Sequence, residues 1–277
     1  MPTMASQGAP AAPTPLDTGS ALVDKAAMRI LILGGTGEAS ALARGLAGAP
    51  GHDVTLSLAG RTAAPKPEPV PTRTGGFGGP DGLAAHLGAN RIDLLVDATH
   101  PFAARMSRNA ALAAARAGVP ILAVRRPAWT RQPGDAWTEV ATVAEAAAAL
   151  GPAPRRVFLT IGRQEVAAFA AAPQHDYVVR TIEPLGAALP VPRLTAIEAR
   201  GPFDADSEAA FLASRAIAVL VSKNSGGSAT AGKILAARRL ALPVVMIARP
   251  PKPAVPAVPD AESALALIRS GAVLGSG

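Results

Sequence analysis

The chain contains no cysteine, which excludes disulfides, thiolate metal sites and cysteine nucleophiles together. That absence fits a reducing compartment, and a cytoplasmic location is expected. Aromatic residues make up only 3% of the 277 residues, with two tryptophans and one tyrosine, Tyr177. Stacking platforms for nucleic acid are therefore scarce. No apolar run approaches the roughly 20 residues that span a bilayer, so no membrane partner is expected. The four histidines, His52, His86, His100 and His175, form no H-x-x-x-H pair, and no metal is expected. A serine nucleophile would lack its usual G-x-S-x-G elbow.

Hydrophobic residues reach 49% and charged residues only 17%, enough for a substantial core. The formal net charge is +7, and the sequence pI is near 10.7. Most of the excess is arginine scattered along the chain, without a basic run. A polyanionic small molecule suits this balance better than nucleic acid. Nothing marks an obligate interface, and a monomer is expected.

Residues 1–27 are rich in Pro, Ala, Ser, Thr and Gly, without apolar periodicity. They read as a disordered extension, lacking the basic start and apolar centre of a secretory signal. From Met28 onward, β-like and α-like segments alternate. Strands are expected at Arg29 to Leu33, Val54 to Leu58, Leu94 to Asp97 and Ile121 to Val124. Helices are expected at Glu38 to Ala47, Arg105 to Ala117 and Thr142 to Leu150. After Gly151-Pro-Ala-Pro154 the pattern restarts, with strands at Val157 to Ile161, Tyr177 to Arg180, Ile217 to Val221 and Val244 to Ala248. Helices fall at Gln164 to Ala171, Ser207 to Ser214, Ala229 to Leu240 and Ala261 to Ile268. This alternation predicts an α/β protein of two Rossmann-like domains, with mainly parallel sheets and a cleft between them. The expected division is residues 28–151 for dinucleotide binding and 152–277 for a second α/β domain that binds substrate.

Gly34-Gly-Thr-Gly-Glu38 follows the first strand and opens a helix. Gly35, Gly37 and Ser40 fit G-x-G-x-x-[small], a near match to the dinucleotide fingerprint. Glycines admit a pyrophosphate close to the backbone, and the helix start presents amides and a positive dipole end. A tight turn that merely needs glycine is the structural alternative. The second strand runs into Ala59-Gly60-Arg61-Thr62 without the carboxylate that would hold a ribose 2′-hydroxyl. Arg61 is placed to hold a 2′-phosphate, which favours NADP over NAD.

Asp97-Ala98-Thr99-His100 lies at the carboxyl end of a strand, where ligands of open sheets bind. His100 is a weak candidate for stacking on a nicotinamide or exchanging a proton; a capping role is the bland alternative. Gly75-Gly-Phe-Gly-Gly79 reads as either a lid or a mobile turn. Ser222-Lys223-Asn224-Ser225 precedes two glycines and a helix carrying Lys233, which together favour anion recognition over simple capping.

The chain resembles the precorrin-6A reductase family. The matching segments are ILGGTGEASALA (Ile32 to Ala43), SLAGRT (Ser57 to Thr62), GGFGG, DATHPFA (Asp97 to Ala103), RRPAW (Arg125 to Trp129), SKNSGG (Ser222 to Gly227) and LPVVMIARP (Leu242 to Pro250). The resemblance implies that NADPH donates a hydride to one double bond of a metal-free tetrapyrrole of the cobalamin pathway. It implies cofactor binding by Gly34, Gly35, Thr36, Gly37, Glu38, Gly60, Arg61, Thr62, Ala98, Thr99 and His100. It places Ser222, Lys223, Asn224, Ser225, Lys233, Arg125 and Arg126, with Arg249, opposite the many carboxylates of precorrin-6A. No residue stands out as the acid, and water is an open choice of proton donor. A cobalt-bearing substrate remains open, as does a dinucleotide- or tetrapyrrole-binding module without turnover. A methyltransferase is disfavoured by the missing acidic residue at the second strand.

Overall fold

Met28-Arg-Ile-Leu-Ile-Leu33 is too apolar to leave either face in water, and it forms a central strand, β1 (Met28–Leu33). A computed structural model describes residues 27–60 and 66–272, so the expected extension lies outside the described residues except for Ala27. Around β1 lie β2 (His52–Leu58), β3 (Thr72–Thr74), β4 (Leu94–Asp97) and β5 (Ile121–Val124). Helices α1 (Gly37–Leu46), α2 (Pro80–Ala89) and α3 (Ala104–Ala117) connect them. Strand alternation sends Ile30 and Ile32 beneath α1, where Leu42 and Leu46 meet them. Leu31 and Leu33 face Leu83, Leu87, Ala110 and Ala114 of α2 and α3.

The second sheet contains β6 (Trp137–Val140), β7 (Arg156–Leu159), β8 (Asp176–Thr181), β9 (Leu194–Glu198), β10 (Val219–Lys223) and β11 (Val244–Ile247). It is covered by α4 (Val143–Ala148), α5 (Ala205–Ser214), α6 (Gly232–Arg239) and a 3-10 turn at Val166–Ala171, where a full helix was expected. The chain then returns to the first sheet as β12 (Ala257–Val258) and α7 (Ala261–Ser270). The sheet orders are β12-β5-β4-β1-β2-β3 and β6-β11-β10-β7-β8-β9, and every pairing is parallel. The expected pair of mainly parallel α/β sheets is therefore present.

The sheets divide the chain differently from the expected break at residue 151. β6 pairs with β11 of the second sheet, while β12 pairs with β5 of the first. The chain thus crosses between sheets twice, near residues 125–136 and 248–256. Neither edge strand was legible: Trp-Thr-Glu-Val shows no apolar run, and Ala257–Val258 is a two-residue strand inside a Pro-rich stretch. The two crossings run side by side and are tied together by one guanidinium. Arg249 donates to the carbonyls of Asn224, Arg126, Pro127 and Ser225 at 2.7–3.0 Å.

The Gly75–Gly79 loop is pinned. Arg73 donates to the carbonyls of Gly75 and Gly76 and lies 3.8 Å over the Phe77 ring. Phe77 itself packs on the core beneath α2 and α3, so the apolar tip expected for a lid is an anchor here.

Candidate functional site

Thr36 joins the glycine loop to the first sheet. Its hydroxyl donates to the Ala98 carbonyl at 2.7 Å and caps the Ala39 amide at 3.2 Å. Gly35 has φ +102, and neither Gly35 nor Gly37 has any atom within 4 Å of where a Cβ would stand. The loop thus presents open backbone at the start of α1, a cradle that a side chain would fill and a pyrophosphate fits. Gly34 is different: a Cβ there would meet Leu56 Cδ1 at 2.6 Å, so this glycine lets the loop pack on β2.

Glu38 sits in the first turn of α1, where its charge would repel a phosphate. Arg126 answers it, its Nη1 donating to both carboxylate oxygens at 2.9 and 2.8 Å. Burial pushes the Glu38 carboxyl up, but the Arg126 hydrogen bond and charge outweigh burial and hold it below its ordinary value. Arg126 also donates to the Ser225 carbonyl at 2.7 Å, so one side chain connects the start of α1 to the loop after β10.

At the end of β4, Asp97 is fully buried. It accepts from Arg125 at 2.8 Å, and from the Thr99 amide and hydroxyl at 3.1 and 2.6 Å. Thr99 lines two adjoining hollows at the carboxyl edge of the first sheet. One is bounded by Thr36, Glu38, Ala98 and Arg126. The other, of about 150 Å³, is bounded by Val124, Arg125, Arg249 and Lys252. The two hollows share Thr99, Pro101 and Val124 and so lie along one edge of the sheet, next to the glycine loop.

His100 accepts the Phe102 amide at Nδ1, 3.2 Å away, which puts the ring proton on Nε2. Burial, with Arg126, Lys223, Lys252 and Arg249 around it, pushes its pKa down to about 3. The ring is therefore neutral at physiological pH and is a hydrogen-bonding group, with no acidic proton to give.

The predicted anion loop is partly committed to structure. Asn224 accepts from the Trp129 amide at 2.8 Å and donates to the Trp129 carbonyl at 2.9 Å, clamping RRPAW against β10. Ser222 is buried. Lys223 pairs with Glu165 and lies 4.9 Å from the Phe102 ring centroid. Lys233 is only 6% exposed. It has no hydrogen-bond or ion-pair partner among the described residues and sits 5.3 Å from the Trp129 ring centroid. Burial, and then Arg180, push its ammonium down to about 8.

Most of the expected residues therefore converge. Gly34 to Glu38 meet Ala98 and Thr99, and Arg126 brings Ser225 to them. Gly60 follows β2 with φ +73, the last residue described before the gap, while Arg61 and Thr62 lie outside the described residues. Sequence reading missed Lys252, hidden in Pro250-Pro-Lys-Pro253, a stretch that looks like a linker. It also missed Arg73, which donates to Ser57 Oγ at 2.7 Å beside the end of β2.

A profile described as precorrin-6x reductase CbiJ/CobK matches residues 29–269 of this chain. The chain belongs to the precorrin-6x reductase family. A precorrin-6A reductase of Sinorhizobium sp is 57% identical, over 88% of this chain and 95% of its own. Another, of Rhodobacter capsulatus, is 50% identical over 82% and 90%. A cobalt-precorrin-6A reductase of Priestia megaterium is 31% identical over 80% and 90%. The solved structure of a CobK precorrin-6A reductase superposes with a TM-score of 0.83 at 46% identity, covering 88% of this chain and 96% of its own.

Proposed function

We propose that this chain reduces one double bond of metal-free precorrin-6A to give precorrin-6B, using NADPH. One observation carries the reading: the open glycine cradle and the larger hollow form one edge, ringed by cations from both sheets. When bound, the dihydronicotinamide supplies a hydride; the chain supplies position, charge and exclusion of water. Gly35, Gly37 and the first amides of α1 hold the pyrophosphate, and Arg126 cancels the Glu38 charge beside it. Arg61 holds the 2′-phosphate. Lys233, which makes no hydrogen bond or ion pair among the described residues, and Lys223 attract the macrocycle's carboxylates, helped by Arg125 and Arg126 where their existing pairs yield. Lys223 must exchange Glu165 for a substrate carboxylate, an exchange favoured by the greater exposure of Glu165. Asn224 and Ser222 serve the loop's shape more than direct contact. The metal-free substrate is preferred because the more similar relatives carry that name.

Replacing Arg61 by Ala weakens NADPH about 10- to 100-fold, the loss of one or two charge-assisted hydrogen bonds. NADH affinity changes little. Equilibrium titration of both nucleotides checks this, and equal losses would remove the 2′-phosphate role. The function itself is tested by anaerobic kcat/KM values for metal-free and cobalt-bearing precorrin-6A, each with NADPH and NADH. Highest activity with NADPH and the metal-free compound is expected. A preference for the cobalt-bearing compound would move the chain to the other branch, and no turnover on either would leave a binding protein.

A further inference from the structure

Reduction of a carbon–carbon double bond takes a hydride, which carries both electrons, from the nucleotide, and one proton from elsewhere. His100 cannot give that proton near neutrality, and Asp97 is ionised and turned into its own network. We propose that Lys252 is the proton donor of this reaction, an inference that rests on the reductase reading above.

Lys252 stands in the wall of the larger hollow, on the return crossing from the second sheet. Prolines at 250, 251 and 253 fix φ on both sides of it, so its backbone is held with little freedom. Its Nζ donates to the His100 carbonyl at 2.9 Å and to the Thr99 hydroxyl at 3.3 Å. An ammonium has three N–H groups, so two anchor the head to the β4 loop and the third is left for the hollow. The hollow lies at the carboxyl ends of β4 and β5, beyond the cradle, within reach of the nicotinamide end that a dinucleotide on the cradle would present. A nucleotide held this way would bring its hydride to the hollow that Lys252 lines.

The charged groups around Lys252 come from each element packed against it. Asp97 lies at the end of β4, Arg125 and Arg126 follow β5, and Arg249 follows β11. Burial pushes the ammonium down to about 8; Asp97 opposes this, while Arg125, Arg249 and Arg126 add to it. An acid in this range is protonated at neutral pH and still gives its proton readily.

The step balances as follows. The hydride forms a C–H bond at one carbon of the double bond. The electron pair of the π bond takes the proton at the neighbouring carbon, breaking one N–H bond of Lys252. The products are the saturated bond, oxidised nucleotide and a neutral amine, which water reprotonates.

The test compares the wild type with Lys252→Arg and Lys252→Met. Arginine keeps the charge and cannot ionise near neutrality; methionine keeps the stem alone. Both variants are expected to bind NADPH within about threefold of the wild type, and both to lose about 100-fold or more in kcat. The wild-type kcat should fall above about pH 8, and that limb should vanish in Lys252→Arg. Competitive acylation of the resting enzyme, read by peptide mass spectrometry, should place half-protonation of the Lys252 amine near pH 8. An arginine variant retaining kcat and the wild-type pH limb would make Lys252 a charge only and overturn the inference. A collapse of NADPH affinity in both variants would overturn it in favour of a cofactor contact. Wild-type protein that binds NADPH but oxidises none with precorrin-6A sinks the reductase reading, and the inference with it. An active arginine variant beside an active wild type sinks the inference alone.

Discussion

Asp97→Asn is expected to lower stability by about 3 kcal/mol at pH 7, near the low end for breaking a buried ion pair. The carboxylate is fully buried, while its Arg125 partner is 23% exposed, so water relieves part of the cost of the orphaned cation. The amide of asparagine also turns a donor toward donors, since Arg125, the Thr99 amide and the Thr99 hydroxyl all give hydrogen bonds here. Urea titration gives the midpoint shift. Burial pushes the Asp97 carboxyl up, but the charge and hydrogen bond of Arg125, with bonds from Ser107 and Thr99, hold it below the ordinary value. A lowered folded-state value contributes stability that is complete above the unfolded value of about 3.9 and fades as pH falls through the folded one. The gap between wild type and variant should therefore hold from neutrality to about pH 5, then close in stronger acid. A gap that widened in acid would contradict the ionised pair.

Gly226→Ala is expected to cost about 2–4 kcal/mol, combining overpacking with a strained backbone. Gly226 has φ +63, and a Cβ there would stand 2.0 Å from the Pro127 carbonyl and 2.4 Å from Arg249 Nη2. Neither neighbour gives way easily. The carbonyl is backbone, and Arg249 is held by that carbonyl and three others at the crossing. The loss should appear in the denaturation midpoint and in raised KM for the tetrapyrrole, because Ser225 and Lys223 ride on the same loop. Unchanged stability and KM would show that the two crossings are not packed against each other as described.

Much of this fold was legible because buried parallel strands announce themselves as short apolar runs. Ile30 to Leu33 and Val244 to Ile247 satisfy both faces with hydrophobic side chains, so no other placement suits them. The glycine cradle was equally plain, since Gly35 needs its positive φ and Gly37 its open space. What stayed hidden depends on distant partners. β12 exists only because β5 offers Ala123 and Val124 an edge to pair with, and nothing local in Ala257–Val258 demands a strand. Glu38 and Arg126 are 88 residues apart, so their mutual neutralisation has no sequence signal. Lys252 was masked by its prolines, which read as a spacer although they serve to hold the lysine still. Asn224 and Lys223 were legible as a polar loop, but their use on Trp129 and Glu165 emerged only from packing.

One anaerobic single-turnover experiment bears most directly on the reaction at this cleft. Enzyme, metal-free precorrin-6A and NADPH deuterated at the transferable C4 position are mixed in ordinary water, and the product is weighed by mass spectrometry. One nucleotide should be consumed per macrocycle, with the product gaining one deuterium from the nucleotide and one hydrogen from solvent-exchangeable sites. Tight NADPH binding without consumption, on this substrate and on its cobalt-bearing counterpart, would contradict a reductase and leave a protein that binds the nucleotide without turnover.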